Sequence, residues 1–279
     1  MNLPKDFSFT QSNLQDYVDC AYRFYLRYYL RARWPALIVD DALDFEARGQ
    51  LGARFHRLAQ QYLLGVPEER LSDLASADPN PELRRWWDSF LIHVPSLLEG
   101  QRFPEAVLRT NLAGSRLTAK YDLILISPDG SLVIFDWKTT QKPVRKTWLL
   151  ERVQTRLYRF ILARSGQVLT GEDKTTPEQI IMHYWFAAHP ESTITLAYDP
   201  PAYQKDQVFL TNVIREIQSR DPEDFLRTSD FDKCRFCVYR SHCDRGKEAG
   251  PLDSFDEFDI EPDNEQIELD FDRIGEIEF

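Results

Sequence analysis

The sequence predicts an α/β fold, a mixed β-sheet flanked by helices. Two observations point there. Helically spaced apolar residues fill the N-terminal part, and from Glu105 to Lys138 the pattern changes to runs rich in β-branched and aromatic residues bounded by turn signals. Beyond that, helical and extended patterns alternate to about residue 219 with no internal repeat, the order expected of a sheet covered by helices. With 279 residues, 43% of them hydrophobic, the chain can bury a substantial core.

Ser12 followed by Gln15 reads as a capping box opening a helix that runs to about Arg31. Tyr17, Cys20, Phe24 and Tyr28 fall on one face, and Arg23, Arg27 and Arg31 form a neighbouring basic stripe. That stripe is either a solvated face or a set of phosphate contacts, Arg23 and Arg27 foremost. A second helix, Asp44 to Gly65, carries His56 and stops at Gly65 with Pro67 just beyond. A third helix, or a pair, is expected from Asp78 to Leu98. Strands follow at 105–112, 116–127 and 131–138, then a helix from about Trp148 to Arg164. Strands near 179–187 and 192–198 and a helix near 202–219 complete the pattern.

The net charge of −11 is unevenly placed. Between Pro251 and Phe279 stand twelve acids and one base, and the other 250 residues hold 33 of each. The acidity belongs to a tail, so it does not argue against a polyanionic partner for the body. The expected organisation is one domain over 1–250 and an acidic, disordered tail over 251–279. No basic start leads into an apolar run, and no stretch is long enough to span a bilayer, so a cytoplasmic protein without membrane attachment is expected.

Pro128-Asp129-Gly130 suits a three-residue hairpin loop, a type I turn closed by a left-handed glycine. If Ser127 pairs with Ser131, Asp122 falls opposite Asp136, and Asp122, Asp136 and Lys138 share one face. Two facing carboxylates on an apolar hairpin need a proton or a cation between them. A hard divalent ion such as Mg²⁺ suits carboxylate oxygens, and it would lower the pKa of a bound water and stabilise charge on a phosphate. Lys138 would position or deprotonate that water, or meet the phosphate. The alternative is a simple Asp–Lys pair at a strand end.

The cysteines are Cys20 and a C-terminal triplet, Cys234, Cys237 and Cys243, whose Cys-x2-Cys pair suits chelation. In a reducing compartment disulfides are not expected. Four thiolates permit zinc or an iron–sulfur cluster, and free thiols are the plain alternative.

Taken together and in this order, "SFTQSNLQDYVDCAYRFYL", the His56 helix, "AKYDLIL", "FDWKTT", "QTRLY" and the cysteine triplet resemble the PD-(D/E)XK nucleases of the RecB-like type. The resemblance spans nearly all of residues 7–246. It is nearest to the iron–sulfur subset: CRISPR-associated exonucleases, the nuclease domain of AddB subunits and Dna-two type nuclease–helicases. It implies a restriction-endonuclease-like sheet and a Mg- or Mn-dependent nuclease. His56, Asp122 and Asp136 would bind the metal with the main-chain carbonyl of Trp137, and Lys138 would be the catalytic lysine. Gln154 and Tyr158 match the family's Q-x3-Y motif, on one helical face by their spacing. Cys20, Cys234, Cys237 and Cys243 would hold a [4Fe–4S] cluster that clamps the N-terminal helix to the C-terminal segment. The sequence departs from the pattern at Ala119-Lys120-Tyr121, where a glycine-containing turn is common, and at Cys20-Ala21, where Cys-Pro is usual. Neither change removes a functional side chain.

His93, His183 and His189 read as packed or surface residues, and His242 as a neighbour of Cys243. In the tail, acids alternate with apolar residues such as Phe255, Phe258 and Phe279. It either solubilises, mimics DNA, or docks a partner, its "GEIEF" end resembling the acidic, Phe-terminated tips of bacterial single-strand-binding proteins. The expected activity is exonucleolytic hydrolysis of single-stranded DNA ends in repair, recombination or CRISPR adaptation. The alternatives are a catalytically idle DNA-binding subunit of a helicase or CRISPR-adaptation complex, and a zinc-bridged interaction module.

Overall fold

The computed structural model describes residues 3–4, 6–32, 40–142, 144–235 and 237–246, with the side chains of 40–46 left aside. The acidic tail therefore lies outside the described residues.

In chain order the strands are β1 (Ser8–Phe9), β2 (Gln101–Pro104), β3 (Val107–Leu112), β4 (Ser115–Lys120), β5 (Leu123–Ile126), β6 (Leu132–Lys138), β7 (Ile180–Phe186) and β8 (Ile194–Ala197). The helices are α1 (Gln11–Asp19), α2 (Ala21–Phe24), α3 (Asp40–Leu63), α4 (Glu68–Ala77), α5 (Pro81–His93), α6 (Lys146–Glu151), α7 (Val153–Ser165), α8 (Gln167–Thr170) and α9 (Pro200–Ser219). Two sheets form where one was expected: β1-β4-β3, and the mixed five-stranded β2-β5-β6-β7-β8. In the larger sheet only the β6–β7 pair is parallel.

The hairpin forms in the expected register. Leu123 pairs with Phe135 and Ile126 with Leu132, Ser127 N–H donates to Ser131 O, and Gly130 takes φ +84°. The run 116–127 is not one strand, however. It breaks at Tyr121-Asp122, leaving β4 in one sheet and β5 in the other. Asp122 thus stands at the crossing between sheets, just before Leu123, the first paired residue of β5.

Strand β6 is buried along its whole length, and its side chains alternate between two cores. Val133, Phe135 and Trp137 pack with Phe55 of α3 and Trp87 and Phe90 of α5. Leu132 and Ile134 face the other way, among Leu157, Phe160 and Ile161 of α7 and Leu210 and Ile214 of α9. Asp136 and Lys138 belong by parity to the α7 side. That placement decides which helix can reach them.

Helix boundaries depart from expectation at several points. The capping box is Thr10–Asn13, not Ser12–Gln15: Thr10 N–H donates to Asn13 Oδ1 at 2.9 Å, and Asn13 N–H to Thr10 Oγ1 at 3.4 Å. The first helix does not continue to Arg31. It breaks at Cys20, whose extended backbone separates α1 from α2, and then widens into a turn in which Leu30 N–H reaches Tyr25 O. The helix expected over 148–164 likewise breaks at Arg152, between α6 and α7. Helix α4 lay unread in the sequence, since its charged, amphipathic stretch buries only Leu71 and Ala75. Gly65 does close the α3 segment, with φ +87°. Among the described residues no helix is long and apolar enough to cross a membrane.

Candidate active site and cysteine cleft

The end of β6 supplies two charged side chains that the α7 core almost wholly encloses. Lys138 Nζ lies 3.0 Å from Asp136 Oδ2, and the two side chains are only 7% and 4% exposed. An isolated charge at such depth would be costly, so each secures the other. Gln154, second residue of α7, donates from Nε2 to Asp136 Oδ1 at 2.7 Å. The break at Arg152 starts a new helix just before Gln154 and brings its first turn over the end of β6.

Asp122 and His56 complete the cluster from the other side. Asp122 Oδ2 accepts the Trp137 N–H at 2.9 Å, and Oδ1 lies 3.2 Å from His56 Nδ1. His56 and Asp122 keep 31% and 20% side-chain exposure, so the cluster opens to solvent on their side. Burial works against a charged imidazole, but the Asp122 carboxylate outweighs it and raises the His56 pKa above its ordinary value. Burial likewise pushes Asp122 up. His56, Lys138 and the Trp137 N–H together hold that carboxyl below the usual range.

Helix α3 approaches the strand closely enough to deliver His56 because Gly52, one turn earlier, has no side chain. A Cβ there would stand 3.0 Å from Thr139 Oγ1.

The structure therefore brings His56, Asp122, Asp136, Lys138 and Gln154 together. Tyr158 lies one turn beyond Gln154 and is buried. Its ring packs 4.8 Å from that of Tyr121, and its carbonyl accepts the Tyr121 O–H at 2.9 Å, so it buttresses the residue preceding Asp122. Trp137 enters through its N–H, with its ring in the α3–α5 core. Two supporting residues escaped the sequence reading. Tyr184, register partner of Asp136 on β7, shares a 2.7 Å hydrogen bond with Thr155, the residue after Gln154. A Thr directly after the Q-x3-Y glutamine was the available signal.

The four cysteines also converge. Cys20, Cys234, Cys237 and Cys243 line one cleft with Arg23, Arg227, Lys233, Arg240 and Arg245. Burial raises the Cys237 thiol pKa against the pull of Arg23, and the nearby Cys20 and Cys234 add to the rise. Burial raises Cys243 too, opposed by Arg227 and reinforced by the same two cysteines. Arg245 donates to Cys234 Sγ at 3.1 Å. The extended break at Cys20 turns this residue out of the helix and towards the triplet.

Protein contacts bind the same two segments. Tyr22 N–H donates to Leu226 O at 3.1 Å, Lys233 pairs with Asp19 at 3.0 Å, and Tyr239 O–H donates to Ala32 O at 3.0 Å. Arg23 and Arg27 are engaged here as well: Arg23 with Asp16 and Asp19, Arg27 with Asp16. His242 stacks on Tyr22 beside the cleft.

As the side chains stand, no three His, Cys, Asp or Glu among the described residues close into a finished metal site. The donor chemistry nonetheless fits distinct guests. Carboxylates with an imidazole suit Mg²⁺ or Mn²⁺, and four thiolates amid arginines suit an anionic thiolate–metal centre.

The chain resembles the crystal structure of SSO0001 at 12% identity and a TM-score of 0.39, covering 87% of this chain and 88% of that one. It also resembles a candidate exonuclease from Eubacterium rectale at 13% identity and a TM-score of 0.45, covering 78% and 85%. No curated protein matches it in sequence. The family model of the PD-(D/E)XK nuclease superfamily matches residues 8–244, a span that holds His56, Asp122, Asp136, Lys138, Gln154 and all four cysteines. The chain belongs to the PD-(D/E)XK nuclease superfamily.

Proposed function

We propose that the protein is a Mg- or Mn-dependent deoxyribonuclease that hydrolyses phosphodiester bonds at single-stranded DNA ends. One observation carries this reading: the buried Asp136–Lys138 pair, held by Gln154, meets the His56–Asp122 pair at a partly open face. Asp122, Asp136, His56 and the Trp137 carbonyl would hold the ion. When bound, such an ion supplies charge neutralisation at a phosphate and a more acidic water.

The chain's own groups do the rest. Gln154 fixes the rotation of the Asp136 carboxylate, and the Trp137 N–H does the same for Asp122. Lys138, anchored on Asp136, holds a positive charge where negative charge grows on a scissile phosphate and can hand over or take up a proton there.

Cys20, Cys234, Cys237 and Cys243 would hold a [4Fe–4S] cluster in a structural role, with the surrounding arginines offsetting its negative charge. The tail 251–279 is proposed as the docking segment for a helicase, CRISPR-adaptation or single-strand-binding partner. A truncation ending at Gly250 that keeps every partner in pull-down would sink that idea.

The deciding experiment uses end-labelled single- and double-stranded DNA with Mg²⁺, Mn²⁺ or EDTA. Metal-dependent shortening from ends, faster on the single strand, is expected. Absence of cleavage under every metal condition overturns the reading.

A further inference from the structure

Immediately after Lys138 the chain carries Lys142, Arg145 and Lys146, with no acid from Thr139 to Leu150. All three are exposed, and among the described residues none of them pairs with a carboxylate. Cations elsewhere on this surface often find one: Arg54 pairs with Asp78, Arg84 with Asp88, Lys120 with Glu105 and Arg235 with Asp232.

The backbone that presents Lys142 is held on several sides. Thr140 donates to the Lys142 carbonyl at 2.9 Å, and the Gln141 carbonyl lies 2.7 Å from His189 Nε2. The Gln141 amide reaches Glu82 of α5 at 3.4 Å. Thr139 abuts α3 at Gly52, one turn from His56. Arg145 is the cap of α6, and Lys146 its first residue.

Lys138 offsets Asp136, and Asp122 is met only by the His56 imidazole, so with the body as a whole neutral the site's net charge draws no polyanion to it. Cations that pair with no carboxylate among the described residues, four to eight positions after Lys138, supply the missing attraction. We propose that Lys142, Arg145 and Lys146 are phosphate contacts that hold the backbone of a single-stranded nucleic acid as it enters the His56–Asp122 face. They act by charge and carry no base preference. This rests on the nuclease reading above, but it can fail separately from it.

The test is fluorescence anisotropy of labelled oligodeoxythymidylate with the full chain in EDTA, so that cleavage plays no part. Arg145→Glu/Lys146→Glu is compared with Arg164→Glu/Lys174→Glu. The second pair makes the same charge change on exposed residues at the far end of α7 from Gln154. The first pair should weaken binding at least about tenfold and flatten the log K versus log salt slope by roughly 1.4, about 0.7 for each lost single-strand contact. The second should do neither. Equal losses from both pairs, or parent-like affinity and slope in the first, overturn the proposal. Oligonucleotide binding that follows this pattern without any metal-dependent cleavage would instead uphold the contacts and sink the nuclease reading. Circular dichroism of each variant checks that the fold is kept.

Discussion

Gln154 and Asp136 lie on different elements, yet their side chains meet at 2.7 Å. The contact ties the first turn of α7 to the end of β6 and fixes the carboxylate that also anchors Lys138. Gln154→Ala should therefore raise the Mg²⁺ or Mn²⁺ needed for half-maximal cleavage by about 10–100-fold, as losing an outer partner of a metal ligand does. Metal titration of the cleavage rate measures this.

Lys138→Ala removes the group proposed to act on the phosphate and should lower the rate by at least about 10²-fold. Asp136→Ala should do the same. Both should keep any iron held by the cysteines, as proposed above, and full activity in either would refute the assignment.

Cys237→Ser should lose iron and sulfide, measured after anaerobic purification, and lower the melting temperature. Because Phe225 packs in the main core and Lys233 pairs with Asp19, the region around 228–246 should loosen first while the sheet survives. Limited proteolysis would locate the nick. Zinc in place of iron would exclude the cluster.

Arg159 and Asp206 pair at 3.2 Å between α7 and α9 with almost no exposure. Burial raises the Asp206 pKa despite Arg159 beside it, so desolvation outweighs attraction there. Asp206→Ala strands a buried guanidinium and should cost roughly 3–5 kcal/mol. Replacing both by leucine should cost clearly less, as read from urea denaturation.

His183 on β7 stacks on Phe135 and shares a 2.8 Å hydrogen bond with Thr195. Burial lowers its pKa below the ordinary value of about 6.5. The unfolded chain thus binds the proton more readily. Stability from this group is complete above about pH 6.5 and falls as the pH drops towards the folded-state value. His183→Gln should flatten the stability–pH curve in that window, and an unchanged curve would show that the group titrates normally.

The hairpin register, the shared face of Asp136 and Lys138 and the spacing of the cysteine triplet were legible in the sequence. Each depends on turn chemistry, strand parity or short spacing, which act over a few residues. The sequence alone determined that Asp136 and Lys138 share a face and that Gly130 closes the turn. Tertiary packing decided the rest. It split one long strand at Tyr121-Asp122, broke helices at Cys20 and Arg152, and used Gly52 to bring His56 to an aspartate 66 residues away. Those breaks follow from what each segment meets across the fold: a second sheet, a cysteine triplet more than 200 residues distant, and the end of β6. Local periodicity carries no record of such partners, because the energy that favours them comes from contacts formed only when distant segments pack.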